Sequence, residues 1–102
     1  MKPDISIVIP AYNENDRLGG PLSKILNFAA SSEQNIEVSV VDDGSSDDTA
    51  EIATQTFAEM PDVQSNVIRY EQNRGKGFAV KIGLLAAKAD TALITDADLS
   101  TP

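Results

Sequence analysis

Along the chain, short β-branched runs alternate with longer stretches whose apolar residues recur every three or four positions. Ile5, Ile7, Val8 and Ile9 make a nearly continuous run, the pattern of a strand covered on both faces in a parallel sheet. Pro10 is expected to end it. Leu22, Ile25, Leu26 and Ala29 follow at i, i+3, i+4 and i+7, which predicts an amphipathic helix over about 19–30, with Pro21 tolerated in its first turn. A second strand is expected over 37–41 and a helix over about 47–59, begun by the capping residues Ser46, Asp47 and Asp48 and stopped by Pro61. A third strand is expected over 66–70, its Arg69 polar enough for a sheet edge. The glycines of 75–77 then open an alanine-rich helix with Phe78, Ile82, Leu85 and Ala89 on one face, and a fourth strand covers 91–95. Strands alternating with helices predict an α/β fold: a three-layer, Rossmann-like, doubly wound parallel sheet joined by right-handed crossovers.

Composition narrows the chemistry. At 102 residues the chain is one domain or part of one, and 41% hydrophobic with 24% charged residues is too balanced for disorder. No apolar run could span a bilayer, and the first residues lead straight into a strand rather than a signal peptide, so a cytoplasmic setting is the default. With no cysteine and no histidine, thiolate nucleophiles, imidazole bases and His- or Cys-ligated metals are excluded. Carboxylates, amines, hydroxyls and backbone remain. A net charge of -8 argues against nucleic acid as a partner, because phosphate contacts demand a basic face. It also means that a phosphorylated ligand would need a cation between itself and the protein.

Three loops follow the carboxyl ends of predicted strands, the ligand edge of an open α/β sheet. The first carries Pro10, Ala11, Tyr12 and Glu14, where Tyr12 either stacks on a planar base or packs on the next helix. The second carries Asp42 and Asp43; a helix cap explains Ser46, Asp47 and Asp48 but not this pair, which suits a base or sugar gripped by hydrogen bonds. The last is the D-x-D of Asp96 and Asp98, two carboxylates separated by the small Ala97, which suit a hard divalent cation that keeps positions open for phosphate. Arg74 and Lys76 are the clustered cations nearest these loops, either aimed at the site or solvated at a helix start. Neither a G-x-x-x-x-G-K-[ST] loop nor a G-x-G-x-x-G after the first strand is present, which disfavours a P-loop and a Rossmann dinucleotide site.

Ile-Pro-Ala-Tyr-Asn-Glu at 9–14, Val-Asp-Asp-Gly-Ser-Ser-Asp-Asp-Thr at 41–49, Asn-Arg-Gly-Lys-Gly at 73–77 and Thr-Asp-Ala-Asp-Leu-Ser-Thr-Pro at 95–102 together resemble the signatures of family-2 glycosyltransferases with the GT-A fold. The last two are most similar to the dolichyl-phosphate (polyprenyl-phosphate) glucosyltransferase subgroup. The resemblance implies a sheet in the order 3-2-1-4, the N-terminal half of a GT-A fold. It implies a UDP-sugar donor, UDP-glucose first, a lipid-phosphate acceptor and inversion at the anomeric carbon. It further implies that Pro10, Ala11, Tyr12, Glu14, Lys76 and Ala97 lie at the nucleotide, that Asp43 hydrogen-bonds the base, and that Asp96 and Asp98 hold Mg2+ or Mn2+ against the diphosphate.

Family members continue beyond the D-x-D, so residues 1–102 are expected to be the nucleotide-sugar-binding part, inactive alone, with acceptor site, catalytic base and any membrane attachment beyond Pro102. Two other classes stay open: a binding or structural fragment that dimerises through an exposed sheet edge, and, more remotely, an NAD enzyme.

Overall fold

A computed structural model describes residues 2–96. Its elements are β1 (Ile5–Ala11), α1 (Gly19–Ser31), β2 (Ile36–Asp43), α2 (Thr49–Ala58), β3 (Gln64–Tyr70), α3 (Lys76–Ala86) and β4 (Thr91–Ile94). All pairings are parallel and the order is β3-β2-β1-β4, with Ile5 opposite both Ile36 and Thr91. This is the expected three-layer sheet, with β3 at one edge and β4 at the other.

The two central strands are buried on both faces, as their continuous apolar runs require. Ile7, Ile9, Val38 and Val40 pack under Leu22 and Leu26 of α1 and Ala53 and Phe57 of α2. On the opposite face Val8 and Val41 meet α3. That contact is made differently from the expected stripe of Phe78, Ile82, Leu85 and Ala89. Leu85 is 74% exposed and Ala89 lies past the helix end, while Ala79 and Gly83 are the buried residues of α3. A Cβ on Gly83 would stand 2.3 Å from Val8 Cγ1, so α3 sits too close to the sheet for a larger residue there. Periodicity counts large apolar side chains and misses a face built from small ones.

Pro10 does not end β1, which runs on to Ala11. The Thr95 N–H donates to the Val8 carbonyl at 3.1 Å, so Val8 turns its peptide groups toward β4. Pro10, two residues later, faces the same way, beyond the last β1–β4 pair at Val8 and Ile94. Its missing N–H therefore removes no ladder bond.

A buried polar pair fixes the far end of α3. Glu37, 4% exposed, accepts the Ser6 hydroxyl and the Lys88 N–H at 2.7 Å, and Ser6 Oγ accepts the Ala89 N–H at 3.2 Å. These bonds satisfy backbone groups of the α3–β4 turn and orient β4, whose carboxyl end leads to Asp96.

Candidate nucleotide site

At the carboxyl ends of β1 and β2, against the start of α3, lies a cavity of about 510 Å3. Pro10, Ala11, Tyr12, Glu14, Asp43, Lys76 and Asp96 line it, together with Asn73, Gly75 and Ala79. Ala97 and Asp98 lie outside the described residues.

The first wall is the β1–α1 loop. Asn13 sits in the left-handed region with φ 51, and its backbone N–H reaches Ser45 Oγ at 2.8 Å while its Oδ1 accepts the Ser46 N–H at 3.0 Å. The Glu14 N–H donates to Thr49 Oγ1 at 2.9 Å. These bonds clip the loop to the start of α2 and leave Tyr12, 46% exposed, on the cavity. Glu14 Oε2 lies 3.1 Å from Arg17 Nε.

Asp47 serves as the hub of that clip. Its carboxyl is held below the ordinary value: burial pushes it up, but the Thr49 hydroxyl and the N–H groups of Thr49 and Asn15 outweigh that push. It caps α2 from a residue before the geometric N-cap, Asp48, which makes no side-chain cap bond.

Adjacent strand residues point to opposite faces, and this separates the aspartate pair. Asp42 turns toward the α1 and α2 layer, where Oδ1 accepts the Ser45 N–H at 3.0 Å and Oδ2 lies 3.8 Å from Arg69 Nε. Asp43 turns toward α3 and the cavity. It is 3% exposed and its two oxygens accept four hydrogen bonds: from Tyr70 Oη at 2.6 Å, Arg74 N at 2.9 Å, Asn73 Nδ2 at 2.8 Å and Gly75 N at 2.9 Å. Four donors fill the lone-pair directions of a carboxylate. Burial, the bond to Asp43 and the charges of Asp43 and Asp42 push the Tyr70 phenol well above its ordinary value, so it stays a donor. Asp43 thus pins the 73–75 loop from which Lys76 and α3 start. Gly44 allows the same approach: with φ 70, a Cβ there would lie 2.3 Å from the Asn73 nitrogen.

The two cations of this loop part company. Arg74 leaves the cavity and lies over the Phe78 ring, its Cζ 5.4 Å from the centroid. Lys76 lines the cavity and pairs with Asp96, Nζ to Oδ1 at 2.5 Å. Among the described residues the lining therefore carries three carboxylates and one ammonium. Asp96 is half-exposed, and its oxygens suit a hard cation of the kind held by one or two carboxylates and completed by phosphate oxygens. Among the described residues no group of three His, Cys, Asp or Glu side chains is placed to hold a metal ion. Asn73, Gly75 and Ala79 are the lining residues that sequence reasoning did not name as site residues, although the first two lie in the Asn-Arg-Gly-Lys-Gly signature.

The family model for glycosyl transferase family 2 matches residues 6–102. The chain belongs to this family. Among curated relatives of this family-2 chain, a dolichyl-phosphate beta-glucosyltransferase of Dictyostelium discoideum is 35% identical, over 95% of this chain and 31% of its own length. The chain thus spans about a third of the relatives it matches. Among solved structures, the mannosyltransferase of Pyrobaculum calidifontis in complex with GDP-Man and Mn2+ superposes with TM-score 0.82 at 28% identity, covering 96% of this chain and 28% of that one. The glucosyl-3-phosphoglycerate synthase of Mycobacterium tuberculosis, with Mn2+, UDP and glucosyl-3-phosphoglycerate, superposes with TM-score 0.74 at 28% identity, covering 98% of this chain and 35% of that one. The family-2 sheet described here is accordingly of the GT-A type.

Proposed function

We propose that this chain is the nucleotide-sugar-binding part of a metal-dependent, inverting glycosyltransferase that takes a hexose, glucose first, from a UDP-sugar and delivers it to a polyprenyl or dolichyl phosphate. The observation that carries the reading is the convergence of Tyr12, Asp43, Lys76 and Asp96, from four separate segments, on one cavity at the carboxyl edge of the sheet. The name of the Dictyostelium relative supports glucose and the lipid phosphate, and the UDP and Mn2+ of the mycobacterial neighbour support donor and metal.

In this proposal the uracil lies along Pro10 and Ala11 with the Tyr12 ring against it, and Glu14 borders the same nucleotide. Asp43 receives a base N–H in exchange for the Asn73 amide, which retains the Asp43 main-chain oxygen at 3.1 Å as an acceptor. Lys76 approaches the diphosphate, with Ala97 leaving room for its close approach to the chain. Two like charges 4 Å apart repel by about 4 kcal/mol at an effective dielectric of about 20, so one ammonium cannot offset three carboxylates around a diphosphate. Mg2+ or Mn2+ held by Asp96 and Asp98 would supply the missing positive charge and stabilise the departing diphosphate. The acceptor oxygen then bonds the anomeric carbon as the bond to the diphosphate breaks, inverting that carbon. No described helix is long and apolar enough to cross a membrane; the proposed setting is the cytoplasmic face of the membrane that holds the acceptor lipid.

Calorimetric titration with UDP, GDP and NAD, each with and without Mn2+, tests the reading. UDP binding that requires metal is the expected result, and GDP is included because one structural neighbour holds GDP-Man. Metal-independent NAD binding would overturn it. Absence of any nucleotide binding would favour a structural role, for which the β4 edge, unpaired among the described residues, with Leu93 51% and Ile94 41% exposed and Phe28 of α1 beside them 59% exposed, offers a self-association surface measurable by sedimentation.

A further inference from the structure

We propose that Lys76 is the resident counter-ion of Asp96, that a divalent cation must displace it, and that the released ammonium then engages the diphosphate; this rests on the reading of Asp96 as a metal ligand. The roots of both side chains are fixed. Lys76 opens α3 directly after Gly75, whose N–H is held by Asp43 at 2.9 Å, and Asp96 follows Thr95, whose N–H is held by the Val8 carbonyl at 3.1 Å. Both side chains are more than half exposed, at 63% for Lys76 and 51% for Asp96, and so have room to move apart. The ammonium sits on a flexible four-carbon stem and takes the same carboxylate lone pairs that a hard cation would take.

The other lining carboxylates are engaged differently. Glu14 is paired with Arg17, which does not line the cavity, and Asp43 is saturated by four donors. Asp96 is the described lining carboxylate whose counter-charge can leave and remain in the cavity. A cation arriving alone breaks the Lys76 pair with nothing in return. A cation arriving with a diphosphate breaks it and offers the ammonium a new anion. The two ligands therefore assist one another through Lys76, and by linkage each raises the affinity of the other by the same factor.

Removing the ammonium should thus have effects of opposite sign. Mn2+ titration of the full chain, followed by the loss of the free-ion EPR signal, would compare the native protein with Lys76→Met and Lys81→Met. Lys81 is an exposed position of α3 outside the cavity, so its replacement removes the same charge without removing the pair. Lys76→Met is expected to bind Mn2+ alone about two- to fivefold more tightly, the span of an exposed ion pair. With Mn2+ saturating, its affinity for UDP is expected to fall about tenfold, the loss of one charge-assisted bond to phosphate. Lys81→Met should match the native chain in both. Equal Mn2+ affinity of the native and Lys76→Met chains, or an equal gain in Lys81→Met, would overturn the exchange while leaving the metal site standing. Failure of all three chains to bind Mn2+ even with UDP present would overturn the metal reading itself and this inference with it.

Discussion

Replacing Asp43 by alanine tests how the cavity wall is held. The carboxylate accepts four hydrogen bonds at 2.6 to 2.9 Å. Asn73 donates from the amide of an exposed side chain that can turn to water, and Arg74 is an exposed residue, whereas Tyr70 and Gly75 are half-buried and would lose their acceptor inside the fold. Hydrogen bonds to a charged group contribute about 1.5–3 kcal/mol each, so the two half-buried donors set an expected loss of about 3–6 kcal/mol. For a domain of this size that lowers the melting temperature by 12 °C or more, at about 4–8 °C per kcal/mol. Urea unfolding followed by circular dichroism reads the change, and a cycle with Tyr70→Phe isolates its cause. Tyr70→Phe alone should cost about 1.5–3 kcal/mol and almost nothing once Asp43 is alanine, because the two residues share one bond. A loss below about 1 kcal/mol in Asp43→Ala, or an undiminished Tyr70→Phe effect in its background, would refute the pin.

Three further outcomes follow from the same geometry. Gly83→Ala should destabilise the chain by about 1–3 kcal/mol in chemical denaturation through overpacking against Val8, although alanine is the better helix former by about 1 kcal/mol; a stabilised variant would contradict the close approach. Asp47 titrates lower in the folded chain than its ordinary 3.8, so its contribution is complete above that pH and lost as pH falls through the lowered value; the stability gap between native and Asp47→Asn should be constant from pH 5 to 7 and close only in acid, and a gap that closes near neutrality would contradict the assignment. Divalent cations should raise the melting temperature by mass action, more with UDP present, and Asp96→Asn with Asp98→Asn should abolish that increment at a metal-free cost no larger than the exposed Lys76–Asp96 pair, about 1 kcal/mol or less; a double variant that keeps its Mn2+ response would show these aspartates to be turn residues only.

Local pattern determined the layered parallel sheet, and the family resemblance its strand order. Continuous β-branched runs can be stable only if both faces are covered, and strands alternating with amphipathic stretches can be covered only by crossover helices, so the parallel sheet and its loops at one edge were legible residue by residue. The three loops with Tyr12, Asp43 and Asp96 were legible for the same reason, since the carboxyl ends of parallel strands lie along one edge, and those residues do line one cavity there. What only the tertiary structure decided depends on distance between segments far apart in the chain. Nothing local distinguishes Arg74, which lies over Phe78, from Lys76, which reaches Asp96 across twenty positions. The pinning of Asp43 by Tyr70 and the 73–75 loop, the passage of β1 through Pro10 where β4 has stopped, and the seating of α3 on Ala79 and Gly83 are settled by neighbours that no window of sequence contains. Periodicity reports which side of an element is apolar; how close the next element comes, and which donor fills a given carboxylate, is fixed by packing.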